Sequence, residues 1–113
     1  MNEEILDKIR PSEEEVIKNK LRSIKYCVVL VWVTINLRNF GVVHAPELAM
    51  YMRMETANAI KVLRMLENLR MLKSKNIGNI IEFTPVYEEN DKKMVIENYF
   101  DYATERLNAF GVL

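Results

Sequence analysis

Between positions 53 and 76 lie the side chains whose types and spacing could do chemistry. Arg53, Lys61, Arg64, Lys73 and Lys75 are cations, and Thr56, Asn58 and Asn76 are hydrogen-bonding groups set among them. Such a set can bind an anionic polymer: ammonium and guanidinium groups neutralise phosphates, while an amide or guanidinium can also donate to a base edge. The rest of the chain offers no comparable set for catalysis. The single histidine, His44, has no Cys or carboxylate cluster at metal-ligand spacing and reads as a cap at a helix start. The three glycines all fall at turns and form no phosphate loop. Glu13, Glu14, Glu15, Glu88 and Glu89 read as helix-terminal or loop charges, and no nucleophile has a base partner. Neither an enzyme, a metal nor a cofactor is expected from these residues.

Sixteen basic and sixteen acidic residues give zero net charge, but the signs are segregated. Residues 1–15 carry six acids and two bases, and residues 81–113 carry seven acids and three bases. Residues 16–40 carry five bases and no acid, and residues 41–80 carry six bases against three acids. The centre is therefore +8 between two ends of −4. A local basic surface, more than net charge, attracts nucleic acid. Scattering of the same charges over solvated faces is the plainer alternative.

At 113 residues, half of them apolar, the chain is long enough for one domain with a real core. The single Cys27 lies in an apolar run and reads as a small buried hydrophobe. With no charged-then-apolar leader, this fits a reducing, cytoplasmic setting. The longest uncharged span covers residues 26–37, twelve residues where a membrane helix needs about twenty.

The elements that must position the cations follow from capping and periodicity. Residues 1–10 read as a polar segment of one or two helical turns ended by Pro11. Ser12 followed by three glutamates opens a helix as a capping box, predicted to run to Asn39 and to close at Gly41. Five of the seven residues in Cys27-Val-Val-Leu-Val-Trp-Val33 are β-branched or aromatic, a strand signal. The spacing of Val16, Ile17, Leu21, Ile24, Val28, Val31 and Ile35 favours helix instead. A helix apolar on nearly all sides needs cover on all sides, which suggests a second subunit. Val42 and Val43 form a short strand. His44 and Pro46 open a brief helix to about Met52, and Arg53 and Met54 make a turn. Residues 55–69 form the next helix, with Ala59, Leu63 and Leu66 inward. Lys73, Ser74 and Lys75 lead to a turn at 76–79, and Ile80 to Phe83 return as a strand ended by Pro85. A last helix spans about Asp91 to Phe110.

Residues 44–84 resemble the winged-helix superfamily of transcription regulators, in the style of MarR, ArsR and related small archaeal and bacterial repressors. Glu47-Leu48-Ala49 matches the opening of the second helix, and Met52 stands where a leucine follows. Arg53 and Met54 occupy the turn positions of a glycine and an aliphatic residue. Ala59, Leu63 and Leu66 match the inward row of the recognition helix, and Leu66-Glu67-Asn68-Leu69 with Met71-Leu72 the passage into the wing. Arg53 and Arg70 replace glycines, at least the first at a position that often needs positive φ, and Glu55 replaces the usual Ser or Thr cap.

The resemblance implies a mainly α fold with a small β-hairpin wing: a winged helix-turn-helix with a core at about 26–85 and flanking helices at 1–25 and 88–113. It implies duplex DNA as partner, read by helix 55–69 and wing 73–83. Lys61 and Arg64 then face the groove or its phosphate walls, Thr56 and Asn58 contact base edges or a phosphate, and Arg53, Lys73, Lys75 and Asn76 hold the backbone. Ala57 and Ile60 can make only apolar contacts. The terminal helices then pair two copies about a two-fold axis, with Ile96, Tyr99, Ala103, Leu107 and Phe110 as the seam. The rival reading is a winged helix used for protein–protein contact in a larger assembly, favoured by Ala57, Ile60 and the acidic ends.

Overall fold

The computed structural model describes residues 12–90 and 92–112; the polar segment 1–10 lies outside them. Ser12 accepts a hydrogen bond from the Glu15 N–H at 3.1 Å and opens helix α1, Glu13–Lys20, with its three acids at the positive end of the dipole. The single helix expected from here to Asn39 is two helices. Ser23 accepts from the Tyr26 N–H at 3.3 Å and starts helix α2, Ile24–Phe40. The break at residues 21–23 is held from inside, where the Cys27 thiol donates to the Leu21 carbonyl at 3.0 Å. Arg106 donates to the Arg22 carbonyl at 3.4 Å. The bend lets Ile17 and Leu21 both enter the core.

Helix α2 ends at Gly41, as expected, with φ at 75° and its N–H on the Leu37 carbonyl. The strand-like run within it is helical because tertiary burial outweighs β propensity. Cys27, Val29, Leu30, Val33, Thr34 and Leu37 are all buried. Thr34 satisfies its hydroxyl on the Leu30 carbonyl at 2.7 Å, so the one polar residue of this stripe leaves no unpaired group. The row Ile24, Val28, Val31, Ile35, read from spacing as part of the helix's apolar pattern, lies on the opposite side. Ile24 and Ile35 are exposed and Val28 and Val31 half-buried.

Two short helices and a hairpin follow. Helix α3 is Ala45–Met52, with Pro46 in its first turn. Helix α4 is Thr56–Asn68, burying Ala59, Val62, Leu63 and Leu66. Strands β1, Leu72–Ile77, and β2, Ile80–Pro85, pair antiparallel from Leu72↔Pro85 to Ile77↔Ile80 across a Gly78-Asn79 turn. The expected strand at 42–43 reduces to one bridge. Val43 exchanges both backbone hydrogen bonds with Phe83, at 2.9 and 3.1 Å, on the free edge of β2. The last helix begins later than expected: a 3₁₀ turn at Val95–Tyr99 leads into α5, Phe100–Ala109, which lies along α2. The fold is thus mainly helical with one small antiparallel hairpin.

Arg53 and Arg70 are the only non-glycine residues with positive φ among those described, at 55° and 62°. Each ends a helix in a Schellman arrangement. The Met54 N–H reaches back to the Ala49 carbonyl, and the Met71 N–H to the Leu66 carbonyl, both at 3.0 Å. Met71 is fully buried, so its side chain fixes the chain direction that forces Arg70 into the left-handed region. A side chain there costs about 1 kcal/mol. Arg70→Gly should therefore raise the unfolding free energy by about 0.5–1 kcal/mol, and Arg70→Val should lower it by more than 1 kcal/mol. Urea denaturation of the two variants measures both signs.

Candidate nucleic-acid interface

Helix α4 is held between the α3–α4 turn and the hairpin, and this fixes which of its side chains reach solvent. Thr56, Ala57, Asn58 and Lys61 are exposed, Ile60 is half-buried, and Arg53 is exposed at the turn. The helix has no side-chain cap at Glu55.

Its outer surface divides into two flanks. On the hairpin side, Thr56 and Ile60 line a cleft of about 330 Å³ with Pro46, Asn79, Ile80 and Ile81. On the other side, Asn58 and Lys61 line a shallow groove of about 180 Å³ with Lys25 and Tyr26 from the start of α2. Lys25 was not singled out in the sequence. The available signal was its place in the acid-free block 16–40, which does not reveal that α2 starts beside α4.

Arg64 is engaged inside the molecule. Its Nη1 donates to Glu67 Oε1 at 2.9 Å and to Ser74 Oγ at 2.7 Å, and Ser74 donates to Glu67 Oε2. The guanidinium also sits 5.6 Å from the centre of the Phe83 ring. This closed set ties α4 to β1. The expectation that Lys61 and Arg64 act as a matched pair toward a groove is therefore revised: Lys61 has no ion pair among the described residues, whereas Arg64 carries a structural load.

The hairpin cations are separated from Asn76 by the pleat, because alternate residues face opposite sides of a strand. Ser74 bonds toward α4, so Asn76 shares the helix side and Lys73 and Lys75 share the other, where Lys75 faces Glu82 across the ladder. Of the eleven cations in residues 16–80, Lys18, Arg38, Arg64 and Arg70 are ion-paired. The central excess is thus a free set around Lys25, Arg53 and Lys61 plus a separate pair on the hairpin.

His44 does not cap α3 with its side chain. Its ring lies between two carboxylates, Nδ1 3.6 Å from Glu47 and Nε2 3.6 Å from Glu82, on opposite sides of the imidazole. No group of three His, Cys, Asp or Glu placed to hold a metal occurs among the described residues. Among them also, no helix is long and apolar enough to cross a membrane.

The proposed dimer seam turns inward. Ile96, Ala103 and Leu107 are buried in the chain's own core, Tyr99 packs half-buried against it, and only Phe110 is exposed, beside the Arg106 guanidinium. A helix covered by α2 cannot offer the same residues to a second copy. No family model matches the chain, and no curated protein or solved structure is significantly similar to it.

Two outcomes follow from the Arg64 set. Arg64→Ala should lower stability by about 1 kcal/mol, discounted for partial exposure, while Lys61→Ala stays within about 0.5 kcal/mol of the parent; thermal unfolding separates them. The Ser74 hydroxyl, followed by Arg64, holds the Glu67 carboxyl below its ordinary value. The folded state then binds fewer protons than the unfolded chain, so this contribution is full at neutral pH and is lost as pH falls below about 5 through the depressed value. Glu67→Gln should flatten that acid limb of stability against pH, and an unchanged limb would assign the acid loss to other carboxylates.

Proposed function

We propose that this chain is a winged-helix protein that binds duplex DNA, with α4 entering the groove and the hairpin acting as the wing. The observation that carries the reading is the outer surface of α4. Asn58 and Lys61 stand exposed on a helix that sequence and packing set apart between a tight turn and a hairpin, with Lys25 brought alongside. Two details support it. The backbone is left-handed at Arg53 and Arg70, the positions where winged-helix regulators carry glycine. Four of the central cations are neutralised internally, yet Lys25, Arg53 and Lys61 remain free among the described residues on the surface that would face the phosphates.

In this reading the phosphates are neutralised by Lys25, Arg53 and Lys61, with Lys73 and Lys75 touching backbone from the outer hairpin face. Asn58 and Thr56 are the groups nearest to base edges. Arg64 contributes by holding the hairpin at a fixed angle to α4.

The second reading, a protein-docking domain, rests on the cleft between α4 and the hairpin. Pro46, Ile60 and Ile81 give it apolar walls, and Ile77 and Ile80 at the hairpin tip are 48% and 58% exposed. An apolar wing tip suits a protein side chain at least as well as a phosphate backbone.

Binding to a mixed-sequence duplex at two salt concentrations decides between them. The DNA reading predicts affinity that falls by about 0.9 log unit per log unit of salt for each phosphate neutralised, hence a slope of roughly −3 or steeper. Lys25→Ala combined with Lys61→Ala should reduce the slope by about 2 while leaving thermal stability unchanged. Salt-insensitive or absent binding overturns the DNA reading and leaves the cleft as the working surface.

A further inference from the structure

Helix α2 buries one side and leaves a second apolar side uncovered. Ile24, Val28, Val31 and Ile35 recur at spacings of four, three and four, the pattern of a coiled-coil seam. On a helix this row lies opposite the buried row Cys27, Leu30, Thr34, Leu37. The row is flanked on both sides. On one, Trp32 stacks on Tyr51 of α3 with ring centroids 5.8 Å apart. On the other stand Leu107 and Val112 at the end of α5. The result is a groove of about 170 Å³ floored by α2 itself.

We infer that this groove is the contact between two copies of the chain, which pair α2 against α2 about a two-fold axis. A helix that is apolar on opposite sides matches a partner surface of the same kind, and a two-fold contact is self-complementary: the row on one copy meets the row on the other. Residues 26–37 carry no charge, so bringing two such helices together desolvates no ion along that span. The area suffices. Ile24 and Ile35 are 43% and 41% exposed, and Tyr51 and Val112 are 58% and 50% exposed. With the half-buried Val28, Val31 and Trp32 they present roughly 500 Å² of apolar surface per copy, so a pair buries about 1,000 Å², the size at which a specific interface becomes stable. The row spans about 16 Å of helix, three turns, long enough to set both register and angle.

The assignment does not depend on DNA binding, and it replaces the C-terminal seam that the core consumes. It keeps the α4 surface free, because the two faces share no residue.

The test is the mass of the full chain in solution by sedimentation equilibrium at tens of micromolar, without nucleic acid. The expected result is a dimer. Ile24→Lys with Ile35→Lys should give a monomer with an unchanged helical circular dichroism spectrum, since both positions lie outside the core. The milder Ile35→Ala should weaken dimerisation by about tenfold. A monomeric parent chain overturns the proposal and leaves the groove to a different partner. A dimer that survives both lysines overturns it as well, placing the contact elsewhere. Either failure leaves the salt-dependence test of α4 standing, and a failed salt test leaves this one standing.

Discussion

Helix α2 is apolar on two opposite sides, and a chain of this size covers only one of them. That constraint orders the rest. The buried row requires long-range partners, which α5 supplies by lying along α2 with Ala103 and Leu107 against it. The break at residues 21–23 is part of the same solution. A straight continuation of α1 into α2 would carry Ile17 and Leu21 along the axis, whereas the bend returns both to the core. Cys27 and Arg106 stabilise that bend from within, and burial pushes the Cys27 thiol above its ordinary range, which keeps it an inert thiol donor.

The hairpin is attached at three points of different chemistry. Val43 and Phe83 exchange backbone hydrogen bonds, Met71 buries the entry to β1, and Arg64, Glu67 and Ser74 close a polar set on the exposed side. A two-stranded hairpin is not stable alone, so these contacts determine whether it exists as well as where it points. The left-handed residues belong to the same mechanism. Helices α3 and α4 must stop abruptly for the chain to reach its next element. The Schellman bonds and the burial of the following methionine hold Arg53 and Arg70 in a conformation their own side chains disfavour.

The inward row Ala59, Leu63 and Leu66, the cap at Ser12 and the stop at Gly41 were legible because each is set by local spacing or local hydrogen bonding. The break before α2 was not. Ser23 is an ordinary serine until Cys27 and Arg106 converge on the carbonyls beside it, and no local rule contains that convergence. Periodicity recognised the row Ile24, Val28, Val31, Ile35 without distinguishing a stripe that faces the core from one that faces away. On a helix apolar all round, spacing identifies helix but not orientation. For the candidate site, residue type identified Lys61 and Asn58 but could not foresee that Arg64 closes on Glu67, three residues on, and on Ser74 across the turn. Nor could it foresee that Asn76 and Lys75 face opposite sides of the pleat.

On the DNA reading, the engagement of Arg64 has a consequence for selectivity. With that guanidinium occupied, the outer surface of α4 offers Asn58, Lys61 and Thr56 around Ala57, a set that can fix one or two base pairs at about 1–3 kcal/mol each. The remaining attraction comes from cations that do not distinguish sequence. One such helix separates few sites from the bulk of DNA. Two helices held at a fixed spacing by a rigid α2–α2 contact would roughly double the discrimination and require the correct separation of half-sites as well. The sparse reading row on α4 and the uncovered side of α2 then have a common explanation: selectivity that one copy lacks is supplied by pairing two.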